Sequence, residues 1–110
     1  MSVLRFLVQG SEPDAYVVIF TKTDDKLTAT CTCRAGQLRQ HCKHRTQLLF
    51  GQVDGLVSGN ESEVPKLAEW LKGTTLEHAL SEIQDAERHL EEAQRNLATY
   101  KKRLSQVLNG

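Results

Sequence analysis

The sequence predicts an α+β chain: a small antiparallel β meander that runs into a ββα unit, followed by one long C-terminal coiled-coil helix. Three observations predict it. Short β-rich runs near the N-terminus are separated by turn residues. Two close pairs of metal-ligand side chains, CTC and CKH, stand where the β pattern gives way to a helical one. From residue 74 onward no Gly or Pro interrupts the chain until its last residue. Residues 1–51 read as the meander and its ββα unit, 52–73 as a linker with a short helix, and 74–110 as a long amphipathic coiled-coil helix.

The first two strands are the runs VLRFLV (3–8) and AYVVIFT (15–21), joined by GSEPD, in which Gly10, Pro13 and Asp14 supply turn chemistry. Val18, Ile19 and Phe20 read as core. A second turn at 23–25 returns the chain into a third strand over 26–33. Its period of two places Leu27, Ala29, Cys31 and Cys33 on one face and Thr28, Thr30 and Thr32 on the other, so both sulfurs point the same way.

Cys42 and His44 cannot pair in the same way on a regular helix, where two residues turn through roughly 200°. Cys42 is therefore expected in a turn, with His44 opening a helix over about 43–50. Leu48 and Leu49 pack inward from that helix, and Gly51 stops it. Two pairs of soft ligands separated by a short basic loop suit a tetrahedral Zn2+ ion, with Cys31, Cys33, Cys42 and His44 as its metal ligands. His41 offers an alternative fourth ligand in place of Cys42.

Cys-x-Cys followed by Cys-x-His, with the apolar turn HCKHRTQLLFG behind it, resembles the SWIM-type zinc finger, a ββα module. The resemblance spans about 17–50. It implies the fold and the metal, it favours Cys42 over His41, and it leaves the partner open, since SWIM modules bind DNA or other proteins. The ATPases, transposases and ubiquitin ligases that such modules accompany have no counterpart in this chain.

Composition narrows the function classes. Three cysteines cannot all pair in disulfides, no secretory leader pattern precedes them, and no apolar run approaches transmembrane length, which together suggest a cytoplasmic protein without a membrane partner. A thiol nucleophile is disfavoured because the close CxC pair chelates better than it attacks. Asp24 and Asp25 lie in a turn, the remaining acids suit a helix surface, and a four-ligand zinc leaves no open coordination position, so neither an enzyme nor a small-molecule substrate is expected.

Fourteen basic and 14 acidic residues cancel, which removes any global polyanion-binding signature; with three thiolates and a dication the total becomes −1. Locally, however, Arg34, Arg39, Lys43 and Arg45 lie in a stretch with no acid. They are candidate nucleic-acid contacts through phosphate, and equally candidate counter-charges for a thiolate-rich site.

Gly, Ser, Asp and Asn over 52–60 mark the linker. Pro65 then opens a short helix carrying Leu67, Trp70 and Leu71, which ends at Gly73; Trp70 reads as a packing residue. TTLE supplies a capping box from Thr74 to Glu77, and one helix follows over 75–108. Leu76, Ile83, Leu90, Leu97 and Leu104 recur every seven residues, as do Ala79, Ala86, Ala93, Tyr100 and Val107 three positions on. That five-heptad seam requires another helix and predicts a homodimer through 75–108, antiparallel because residues 77–92 sum to −5 and 93–110 to +4. The same asymmetry also complements the helix macrodipole.

Two functions follow. One is a zinc-binding accessory module that contacts DNA or a nucleoprotein complex as a coiled-coil dimer. The other is a protein–protein adaptor in which the finger is structural and the helix recruits a partner.

Overall fold

A computed structural model describes residues 1–110. Three strands, β1 (Ser2–Val8), β2 (Tyr16–Thr23) and β3 (Lys26–Cys31), form an antiparallel sheet in sequential order. Helices α1 (Arg34–Gln37) and α2 (Lys43–Leu49) follow, then a 3-10 turn at Glu61–Glu63, helix α3 (Val64–Leu71) and the 34-residue helix α4 (Thr75–Leu108). The α+β class expected from the sequence is the observed one. No helix is long and apolar enough to cross a membrane. The chain divides into two compact units, Met1–Glu77 and His78–Gly110.

Alternation in the strands decides which side chains make the core of the first unit. Leu4, Phe6 and Val8 of β1, Val18 and Phe20 of β2, and Leu27 and Cys31 of β3 are buried. The register pairs Leu4 with Phe20, Phe6 with Val18, and Val18 with Cys31, so one sheet face is apolar across its width. Phe6 and Phe20 meet edge to face at 5.9 Å between ring centroids, the arrangement their quadrupoles favour. Leu48 and Leu49 of α2 and Val64 and Leu67 of α3 are buried as well, as are Cys33, Cys42, His44 and Thr74. Ile19, expected in the core with its neighbours, is only half-buried, because a residue flanked by two inward-facing side chains on a strand must point to the other face.

The β2–β3 turn has two residues, Thr23 pairing with Lys26. Asp24 takes a φ of 52° there, the left-handed geometry that two-residue hairpins demand and that aspartate tolerates.

The polar stretch after α2 has the composition of a linker but is held along β1. Gln9 donates its amide to the Gly55 carbonyl at 2.7 Å, and Val57 donates its amide to the Leu7 carbonyl at 2.9 Å. The Leu7 amide donates to Ser58 Oγ at 3.2 Å, and Asn60 Nδ2 donates to the Arg5 carbonyl at 2.9 Å. These bonds satisfy backbone groups on the side of β1 away from β2, a requirement hydropathy and composition do not display. Further on, Lys22 Nζ donates to the Trp70 carbonyl at 3.1 Å, joining β2 to α3, and Trp70 itself is half-buried.

Capping defines the helix ends. After α2 the Gly51 amide returns to the Leu48 carbonyl and the Gln52 amide to the Gln47 carbonyl, with Gly51 at φ 80°, a Schellman closure. At the start of α4 the Glu77 amide donates to Thr74 Oγ1 at 3.2 Å, and the Glu77 carboxylate accepts from the Gly73 amide at 3.2 Å. The expected capping box therefore forms, shifted by one residue on its return bond. Along α4, Leu80 is the one buried residue. His78 and Glu82 lie 3.0 Å apart, Asp85 pairs with Arg88, and Arg103 sits over the Tyr100 ring.

The strand alternation yields a quantitative contrast. Phe20→Ala should cost about 3–5 kcal/mol in urea unfolding followed by circular dichroism, because it empties a fully buried site. Ile19→Thr should cost less than about 1 kcal/mol; equal losses at the two positions would contradict the observed faces.

Candidate metal centre

Four side chains converge where β3, α1 and α2 meet. Cys31 is the last residue of β3, its register set by pairing with Val18. The chain then turns sharply: β3 stops at Cys31 and not at Cys33, and Cys33 becomes the N-cap of α1 with φ −64° and ψ 164°. The stretch expected to be a basic loop thus contains one helical turn. It is closed by Gln40 N–H to the Ala35 carbonyl and Arg39 N–H to the Gly36 carbonyl, with Arg39 at φ 58°. Cys42 N-caps α2 in extended geometry, φ −128° and ψ 119°, and His44 occupies the first turn of that helix, as the two-residue spacing predicted.

The ligand atoms of Cys31, Cys33, Cys42 and His44 all lie within 4.8 Å of one another, and all four residues are buried. Cys33 Sγ to Cys42 Sγ is 3.3 Å, Cys42 Sγ to His44 Nδ1 is 3.6 Å, and Cys31 Sγ to His44 Nδ1 is 3.8 Å. The cysteines are free thiols. A tetrahedral ion with metal–sulfur bonds of about 2.3 Å and a metal–nitrogen bond of about 2.0 Å separates its ligands by roughly 3.5–3.8 Å. Three of the separations match that spacing, and the widest, at up to 4.8 Å, would contract by about 1 Å for the four residues to close round a metal ion through His44 Nδ1. His41 is exposed and outside the cluster, its Nε2 lying 3.2 Å from Thr46 Oγ1.

Several residues whose role hydropathy does not announce build this geometry. The Gly36 amide donates to Cys33 Sγ at 3.3 Å. A Cβ on Gly36 would stand 2.3 Å from the Cys31 carbonyl oxygen, a backbone atom with no freedom to retreat. Thr32 ties the knuckle to β2: the Val17 amide donates to its Oγ1 at 2.9 Å, and its own amide donates to the Val17 carbonyl at 3.1 Å. The Tyr16 ring lies 4.8 Å from the His44 ring, tilted by 43°, and Gly10 leaves room for it, since a Cβ there would come within 2.3 Å of that ring. The available signal was the glycine three residues after Cys33; the tyrosine carried none.

The ligand groups differ in how readily they give up a proton. Burial pushes the Cys31 thiol up to about 12, helped by its sulfur neighbours, so without a cation it keeps its proton at pH 7. Burial acts upward on Cys42 too, but hydrogen bonds from the Arg45 amide and from the neighbouring thiols outweigh it and leave Cys42 below the ordinary thiol value. His44 is lowered by burial and then by the Lys43 charge, which keeps the imidazole neutral and ready to donate its lone pair.

The four cations singled out in the sequence differ in their use. Arg45 is engaged, donating from Nη1 to the Ala29 carbonyl at 3.1 Å and from Nη2 to the Gln40 carbonyl at 2.6 Å. Arg34, Arg39 and Lys43 are exposed and form no ion pair with an acid.

Comparison with family models found no match, and comparison with curated proteins and with solved structures found none either.

Gly36→Ala should lower metal affinity by at least about tenfold while His41→Ala leaves it unchanged, in competition titrations against a chromophoric chelator. Unaltered binding in Gly36→Ala would show that the close approach to Cys31 is dispensable.

Proposed function

We propose that this chain is a zinc-structured, non-catalytic binding module of the SWIM type that contacts the phosphate backbone of DNA through Arg34, Arg39 and Lys43. Zinc is the ion that three thiolates and one imidazole suit best. All four positions of a tetrahedral ion are supplied by protein, so the metal would organise the fold and not activate a water. Three reduced thiols with this role belong in a reducing compartment such as the cytoplasm.

The observation that carries the DNA reading is the set of exposed cations without acidic partners beside the Cys3His cluster. Phosphate contacts of this kind position a protein on a duplex without reading bases. A protein adaptor is the second reading. It draws on a cleft of about 350 Å3 lined by Leu49, Val53, Val64, Pro65 and Ala68, an apolar surface of the kind that side chains of a partner enter.

Removal of the metal tests the first half. Chelation should release one zinc per chain and melt the sheet, since structural zinc contributes on the order of 10 kcal/mol, comparable to the whole stability of a small domain. Retention of the sheet after complete metal loss would overturn a structural role.

The pH dependence has a definite sign. Binding displaces thiol protons, so affinity falls as pH falls, by about 100- to 1000-fold per pH unit where two to three protons are released. His44 acts in the same direction: its folded pKa lies below its ordinary 6.5, so its stability contribution is present above that value and is lost as pH drops below it.

For the second half, Arg34→Glu with Lys43→Glu should weaken duplex binding uniformly across sequences and reduce the slope of log affinity against log salt by about 2, leaving zinc content unchanged. Absence of duplex binding at low salt with zinc retained would reject the DNA reading and favour the adaptor.

A further inference from the structure

The second compact unit presents an exposed apolar face. Leu90, Leu97, Tyr100, Leu104 and Val107 are between 53% and 74% exposed, and Ala86 and Ala93 lie on the same line of α4. These positions repeat in the a and d places of a heptad, the pattern of a helix that packs along another helix for its whole length and not of one that touches a globular surface at a point. The macrodipole accounts for acid early and base late in the helix, but it does not account for this exposed seam.

We infer that the seam of α4 is closed by α4 of a second copy of this chain, running antiparallel, with Ala93 facing Leu97 of the other copy. Neither the zinc reading nor the DNA reading bears on this pairing. The occupant is argued from charge. Residues 77–92 carry a net −5 and 93–110 a net +4, so one helix is electrostatically complementary to its own reverse.

The register follows from volume and from the flanking positions. Setting Ala93 against Leu97 places Ala86 against Leu104, Leu90 against Tyr100 and Ile83 against Val107. Alanine then meets leucine in two kinds of layer, leucine meets an aromatic ring in the third, and two β-branched side chains meet in the fourth. The same register brings Glu87 of one copy beside Lys101 of the other, twice by symmetry, at the e positions that flank an antiparallel seam. In a parallel pair the corresponding neighbours are Glu82 and Glu87, which repel, and Ala93 faces Ala93, which leaves the layer underfilled.

Sedimentation equilibrium of the full, zinc-loaded chain tests this, with circular dichroism as a check on helix content. The wild type should be a dimer at micromolar concentration, and Leu97→Asp a monomer. Glu87→Lys alone and Lys101→Glu alone should each weaken association by about tenfold, and the double exchange should restore it to within about threefold of wild type. A wild-type monomer would overturn the proposal. So would tighter association of Glu87→Lys, which is the result a parallel dimer gives because the introduced ammonium would then face Glu82. Failure of the double exchange to recover association would overturn the register. None of these variants touches the metal ligands, so zinc content serves as a control on the first unit.

Discussion

The first unit depends on one crowded junction, where the end of β3, the N-cap of α1 and the first turn of α2 bring three sulfurs and an imidazole into contact. Buried polar groups of this kind are costly unless something satisfies them. Here the Gly36 amide meets Cys33 and the four ligand atoms lie within 4.8 Å of one another, a cluster that could hold a cation. The helices that carry the cluster are short, four and seven residues, and neither would be stable alone. Burial of Leu48 and Leu49 helps to hold α2 in place.

How much of this was legible in the sequence varies with the range of the interaction. The four residues of the cluster were legible, because CTC and CKH concentrate rare, chemically distinctive residues at short spacing. The strands apart from the end of β3, the cap at Thr74, the stop at Gly51 and the extent of α4 follow from local pattern. What was not legible depends on pairings distant in sequence. Residues 55–60 have the composition of a linker, yet their backbone and side-chain groups bond β1 some 50 residues earlier, and no periodicity encodes that. At Ile19 a run of apolar residues hides the alternation that separates it from Val18 and Phe20. The one-turn helix α1 was missed because RAGQ carries no hydrophobic period; its cause is the geometry of the sulfur knuckle.

The candidate cations show a similar division. Sequence treats Arg34, Arg39, Lys43 and Arg45 alike, as charges without acidic neighbours. Structure separates them: the planar guanidinium of Arg45 spans two carbonyls, a task suited to its fixed fork of donors, while the other three end in solvent.

The hydrogen bonds along the outer side of β1 bear on how this sheet meets other chains. A three-stranded sheet has two open borders, and an unprotected border is a template for strand addition by partners, by misfolded copies or by growing fibrils. Here Gly55, Val57, Ser58 and Asn60 occupy the β1 border, and the Arg45 guanidinium sits on a carbonyl of β3. Lateral extension along β1 would first require peeling away a stretch that is continuous with α3. The β1 border is thereby closed to strand addition, whereas the β3 border is covered at the Ala29 carbonyl.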